Sequence, residues 1–185
     1  ECAQEAGRKY LYNDKNYECA FKSYFMARNA LTQICNDSLS YFAVGLYKNL
    51  ANIAVEVKEF KEAAKFQSMA LQCLQKNPSF QQMSDKYHSD LKQLGILYAV
   101  AGEYQKSDSC LALCEDFLIK NTDNNAVAEH FSDRADNHKN MGHYSKAIEF
   151  YRKSNEYQKD PGRKIKNVHS IALIQVRYGN GKDIV

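Results

Sequence analysis

"LKQLGILYAVAGEYQKSDSCLALCEDF", Leu91 to Phe117, carries a large-small pair (Leu94-Gly95), then Tyr98, then Gly102-Glu103-Tyr104, then small residues three and ten positions beyond Tyr104. Offsets of three, seven and ten lie on one face of an α-helix. A packing unit would repeat that pattern along a chain, and here it recurs. The aromatic residues Tyr17, Phe60, Tyr104 and Tyr144 each follow a short turn, spaced 43, 44 and 40 residues apart. Three residues after these anchors stand Ala20, Ala63, Ser107 and Ala147, and ten after stand Ala27, Ala70, Cys114 and Ser154, all of them small. Seven after come Tyr24, Leu111 and Tyr151, with Gln67 breaking the column and Phe66 beside it.

Upstream of the anchors lies a second ladder. Leu50-Ala51, Leu94-Gly95 and Arg134-Ala135 occupy positions minus ten and minus nine, followed by Ala54, Tyr98 and His138 at minus six. A small residue there lets two helices approach closely while its large neighbours fill the space between them. Gly102 and Gly142 fall just past a helix end, where a left-handed residue is readily accommodated, whereas "VKEF" and "NDKNY" use polar residues instead.

Composition agrees with helices. The 185 residues are 44% hydrophobic and 25% charged with only two Pro, enough apolar material for a core and too much for disorder. The net charge of +3 is small and both signs are interleaved, which argues against a nucleic-acid footprint. No apolar run approaches the roughly 20 residues that span a bilayer, and "ECAQEAGRKY" lacks the apolar stretch of a signal peptide. No membrane segment is therefore expected within this chain. A start without Met and a repeat left incomplete lead us to expect a domain excised from a longer protein.

These residues resemble the tetratricopeptide repeat family, whose signature is the small-large pair, an aromatic opening the second helix and a small residue three further on. The likeness is best at Leu91–Cys114 and Phe131–Ser154 and poorest in the first helix, where Arg8 stands at the usual small position. A one-residue longer turn, bringing Gly7 and Tyr10 into use, repairs that register. The family's usual period is 34, and the 40 to 44 found here points to longer helices, as in kinesin light chains and peptide-sensing bacterial regulators. The resemblance implies an all-α fold: an α-solenoid, a right-handed superhelix of antiparallel helix pairs, with about four repeats plus a terminal helix. First helices should line its concave side.

The expected organisation is a single repeat domain over 1–185, with repeats at about 2–36, 38–78, 80–121 and 124–160 and a terminal helix at 163–178. Helices are expected at 2–13, 16–35, 39–57, 59–77, 80–101, 104–120, 125–141, 144–159 and 163–178. "NDS", "NPS", "NTDNN" and "KDPG" supply caps and turns between pairs. Gly181 stands where the last anchor should be, so the final helix is either a cap or a cut repeat.

Chemical readings fare poorly. The six cysteines include no C-x-x-C, and Cys110 and Cys114, four apart on a helix, have no His at ligand spacing. Packing explains Cys114, which fills the small-residue column. Unpaired thiols favour a reducing compartment, so a cytoplasmic location is expected. There is no H-E-x-x-H, and His138 and His143 share no helical face. His138 reads as a packing residue or a pH-sensitive contact. "GNGK" lacks the preceding strand and Gly spacing of a phosphate loop. Asp133 and Asp136 read as a solvated face rather than an acid–base pair. We expect no catalysis, no cofactor and no metal.

Binding is then the leading function. Positions minus twelve, minus eleven and minus eight point away from the packing columns toward the groove: Lys48, Asn49 and Asn52, then Lys92, Gln93 and Ile96. The next first helix offers Ser132, Asp133 and Asp136, and the last helix His169, with Ser170 and Leu173. Lysine and amide donors suit a carboxylate or an extended peptide backbone. The expected partner is another protein or a short peptide segment, bound on a non-catalytic scaffold. The alternative is a sensory or regulatory part of a larger signalling or transcription regulator, and self-association stays open. Chaperone-binding members of the family use a five-residue carboxylate clamp. Lys48 and Asn52 reproduce its first pair and Gln93 nearly its third member, but Glu129 and Asp133 stand where two cations belong, which excludes the full clamp.

Overall fold

The computed structural model describes residues 2–33, 40–76 and 84–179. The turns Asn36–Ser38 and Asn77–Ser79, the anchor position Gly181 and the side chains of Cys2 and Cys35 lie outside the described residues. Every element within them is helical: α1 (Cys2–Arg8), continued by a π-helical turn (Lys9–Asn13), α2 (Tyr17–Gln33), α3 (Ser40–Glu56), α4 (Phe60–Gln75) and α5 (Ser84–Val100). After these come α6 (Tyr104–Asn121), α7 (Asn124–Asn140), α8 (Tyr144–Tyr157) and α9 (Pro161–Tyr178). Where they fall on described residues, the boundaries read from sequence hold to within two residues; the expected ends at 35, 39, 77 and 80 lie outside the described residues. The helices form two compact units, Glu1–Leu97 and Tyr98–Val185, divided within α5.

Within each unit, sequential helices pack as neighbours: α1 on α2, α2 on α3 and α3 on α4 in the first; α6 on α7, α7 on α8 and α8 on α9 in the second. The small-residue columns are where they meet. Ala20, Ala63, Ala70, Ser107, Cys114, Ala147 and Ser154 are all buried, and Ala27 is half-buried. The first unit packs Val44 of α3 against Ala70 and Leu74 of α4. The second packs Val127, Phe131 and Ala135 of α7 against Tyr144, Ala147, Ile148 and Tyr151 of α8.

The turns before the anchors repeat one design. The residue two before each anchor is left-handed: Lys15 (φ 49°), Lys58 (φ 63°), Gly102 (φ 81°) and Gly142 (φ 79°). The next residue's N–H then closes the turn on a carbonyl six before the anchor, as from Glu59 to Ala54 (2.7 Å), Glu103 to Tyr98 (2.8 Å) and His143 to His138 (2.8 Å). In the first repeat the same bond runs one residue further, from Asn16 to Tyr10 (2.8 Å). The π-helical turn absorbs this extra residue, so Gly7 rather than Arg8 takes the close-approach position. A Cβ on Gly7 would meet the Tyr24 ring at 3.0 Å.

Side chains cap the helix starts. Asn16 accepts from Cys19 N–H (3.1 Å), Asp123 from Ala126 N–H (2.8 Å) and Asp160 from Gly162 N–H (2.8 Å), with Pro161 opening α9. Gln67 is itself buried. Its amide reaches the Asp90 carbonyl (3.3 Å), so an apparent gap in the apolar column is a hydrogen bond from α4 to α5.

Candidate functional site

The groove positions of the first unit lie on α3 and α5. Asn52, Gln93 and Ile96 are exposed, while Lys48, Asn49 and Lys92 are half-buried. Lys48 donates to the carboxylate of Asp90, whose side chain is 6% exposed. The cation nearest a carboxylate-binding role is thereby committed to holding two first helices together. Minus twelve of one repeat meets minus fourteen of the next, and the second unit repeats that bridge: Ser132 of α7 reaches the Asn167 side chain of α9 (3.3 Å). The exchange is ionic in one case and neutral in the other.

In the second unit a cleft of about 340 Å³ opens along α7, α8 and α9. The three expected groove residues of the fourth repeat, Ser132, Asp133 and Asp136, all line it, and so does Ser170. His169 is exposed on α9 and does not line it. The floor is amide and hydroxyl: Asn167 donates to Ser154 Oγ (3.0 Å) and Asn155 Oδ1 (2.9 Å), Ser132 Oγ lies 2.9 Å from Ser154 Oγ, and Ser154 donates to the Ala128 carbonyl (2.7 Å). Gln158, also buried, accepts from the Asp160 N–H (3.0 Å).

The rim carries both signs. Arg163 donates to Glu129, and Lys166, exposed, has no carboxylate within ion-pair distance among the described residues. At the far end Lys139 donates to Asp136 and to the Tyr151 hydroxyl (3.0 Å), and that hydroxyl donates to Asp136. Burial would lower the Lys139 pKa, but bonds to Asp136 and Tyr151 outweigh it and keep the ammonium charged. Burial and the Asp136 carboxylate push the Tyr151 phenol up, so it remains a proton donor. A ligand in this cleft meets fixed donors and acceptors of both charges, which suits a backbone with its own amides and charged termini or side chains.

Several cleft residues escaped the sequence reading. Tyr151 was assigned to packing, and its ring is indeed buried, yet its hydroxyl reaches the cleft. Arg163, Lys166 and Asn167 sit on the helix with no downstream anchor. The one available signal was the minus-twelve to minus-fourteen bridge, visible only when successive repeats are aligned. His138 and His143, which share no helical face, nonetheless lie with ring nitrogens 3.4 Å apart, because His143 sits in the turn beyond the helix end. His138 also lies against Asp108 Oδ2 (3.3 Å) and stacks on Phe150 at 5.3 Å. Among the described residues no group of three His, Cys, Asp or Glu is arranged to hold a metal, Cys19, Cys73, Cys110 and Cys114 are free thiols, and no helix is long and apolar enough to cross a membrane.

Packing of sequential helix pairs on recurring columns defines the class: a helical repeat-like, all-α protein. No protein-family model matches the chain, and no curated protein matches it. Among solved structures similar to it is that of BtubC (BKLC) from P. vanneervenii, with a TM-score of 0.61 at 13% identity, covering 96% of this chain and 80% of that one. At that identity the likeness concerns the fold alone.

Proposed function

We propose that this chain is a tetratricopeptide-type repeat module that binds a short segment of another protein, with the α7–α8–α9 cleft as the centre of the site. The observation that carries the reading is convergence. Ser132, Asp133 and Asp136, assigned to a groove by spacing, share one cleft with Lys166 and Ser170 of the next first helix. Its volume, about 340 Å³, falls at the lower end of ligand cavities. The family assignment is supported by burial of the anchor-plus-three residue in all four repeats and by Gly7 restoring the register of the first.

The ligand chemistry follows from the lining. Extended peptide backbone supplies donors and acceptors that the Ser132 and Ser170 hydroxyls, positioned beside the buried Asn167, can meet, and Lys166 and Asp133 discriminate by charge on either side. A peptide-display selection on the folded protein tests this. Selected peptides should bind with micromolar Kd and weaken at least tenfold against the double variant Asp133→Lys, Lys166→Glu, whose melting temperature should match that of the parent. Recovery of no binders, or equal binding to the double variant, refutes the site.

A further inference from the structure

We infer that His138 and His143 form a zinc site at the turn from α7 to α8, with the ion bound through Nδ1 of both rings. The site stands apart from the proposed peptide cleft, which neither histidine lines. The two Nδ1 atoms lie 3.4 Å apart. That separation exceeds the ~2.7–3.2 Å of ordinary N–H hydrogen bonds. It matches the edge of a metal tetrahedron, since two nitrogens each about 2.0–2.1 Å from one zinc ion stand about 3.3–3.4 Å from each other. The ring centroids are 5.7 Å apart, further than the nitrogens, so the rings meet nitrogen to nitrogen rather than face to face.

Both ligands are held in place before any ion arrives. Gly142 is left-handed (φ 79°), and the His143 N–H closes the turn on the His138 carbonyl (2.8 Å), which ties the two residues together through the backbone. The His138 ring is fixed from two further directions. It stacks on Phe150 at 5.3 Å with 11° between the planes, and its Nε2 lies 3.3 Å from Asp108 Oδ2. Asp108 is anchored in turn by Arg134 Nε (2.7 Å). A carboxylate on the far nitrogen is the usual companion of a metal-bound histidine, because it accepts the Nε2–H and leaves the Nδ1 lone pair for the ion. Asp108 and Glu115 are two carboxylates against the single guanidinium of Arg134, and the excess negative charge favours a cation beside them.

The donor set names the metal class. Imidazole nitrogen suits zinc, copper and nickel, whereas calcium and magnesium take oxygen ligands. The tetrahedral spacing selects zinc among them. No third His, Cys, Asp or Glu joins the pair among the described residues. Water therefore completes the coordination, and those positions stay open to a donor from another molecule. His143 lines an open cleft of about 430 Å³ with Glu103 and Met141, which gives the ion its route from solvent.

Isothermal titration calorimetry of the whole reduced chain with zinc chloride tests the site. Two protein ligands hold zinc less tightly than the four of a structural centre, so one site of micromolar Kd is expected, with no binding of magnesium chloride. His143→Ala should weaken zinc at least tenfold. The His143 side chain caps no helix N–H, so the circular dichroism of that variant should match the parent's. Long-range proton–nitrogen spectra of the imidazoles identify the ligands directly: zinc should shift the Nδ1 resonances of His138 and His143 and leave those of His88 and His169 unmoved. Undiminished zinc binding by His143→Ala, or no binding to the parent at millimolar zinc, overturns the inference. So does binding that leaves both Nδ1 resonances in place, which assigns the zinc to cysteine thiols and the histidine contact to a hydrogen bond alone.

Discussion

Replacing Asp108 by Asn should destabilise the protein by an amount that depends on pH. On α6, Asp108 accepts from Arg134 Nε (2.7 Å) and the second guanidinium nitrogen (3.4 Å), and lies 3.3 Å from His138 Nε2. The three side chains are 20%, 12% and 6% exposed, and Arg134 also reaches Glu115 and covers the Phe150 ring at 4.3 Å. Burial pushes the Asp108 carboxyl up, but hydrogen bonds from His138 and Arg134, with their charge, outweigh it and hold the group well below the usual carboxylate range. Burial likewise works against the Arg134 charge, and the two carboxylates overcome it. Breaking a fully buried pair costs about 3–5 kcal/mol. Glu115 still compensates Arg134 in the variant, so we expect about 2 kcal/mol at pH 7. A depressed folded-state pKa contributes stability that is complete above the unfolded value of about 3.9 and fades as pH falls toward the folded one. At pH 3 the unfolded carboxyl is roughly nine-tenths protonated while the folded one stays ionised, so the difference shrinks by about 1.3 kcal/mol. Urea denaturation followed by circular dichroism at pH 7 and pH 3 measures both numbers. Asp116→Asn, at an exposed carboxylate of the same helix, should stay within about 0.5 kcal/mol throughout. An Asp108→Asn difference of equal size at both pH values would refute the electrostatic account.

Three further substitutions probe the repeat geometry. Gly7→Ala gains about 1 kcal/mol of helix propensity but drives a Cβ to 3.0 Å from the buried Tyr24 ring, where overpacking costs about 1–3 kcal/mol; a net loss of about 1 kcal/mol is expected, and a higher melting temperature would show the ring can retreat. Lys58→Gly relieves a left-handed backbone (φ 63°) and should stabilise by about 0.5–1 kcal/mol in thermal melts, since Gly adopts that region freely; a lower melting temperature would show that the Lys58 side chain outweighs its strain. Ala147→Arg forces a cation into a position that is 0% exposed between α7 and α8, so cooperative melting of the second unit should be lost or fall by more than about 3 kcal/mol; native-like melting would contradict the packing register.

The fold was legible because its constraints recur. A residue pressed against a neighbouring helix must be small in every repeat, so Ala63, Ser107 and Ala147 report the same event three times, and a misfit such as Arg8 could be repaired by one register shift. Polar bridges carried no such redundancy. The wheel directed the Cα–Cβ bond of Lys48 toward the groove, but a four-carbon stem can turn, and Asp90 lay within its reach. Facial periodicity also stops where a helix stops, which is why His143, one residue past the end of a turn, meets His138 against the expectation for a continuous helix.

Adjacent positions in a first helix obey opposite rules, and on the proposed binding function this would let a fixed scaffold carry a particular specificity. Minus nine is Ala51, Gly95, Ala135 and Ala172, while its neighbour at minus eight is Asn52, Ile96, Asp136 and Leu173: amide, apolar, acidic and apolar in turn. Close helix approach forbids side-chain volume at the first, whereas the second faces a surface where each repeat is free to choose its chemistry. If the cleft binds a ligand as proposed, recognition resides in the positions that periodicity cannot predict. In the second unit that freedom is spent on Asp136, which Lys139 and Tyr151 hold in place at the end of the cleft. A ligand reaching that end meets a group already fixed, so contact there costs little further ordering.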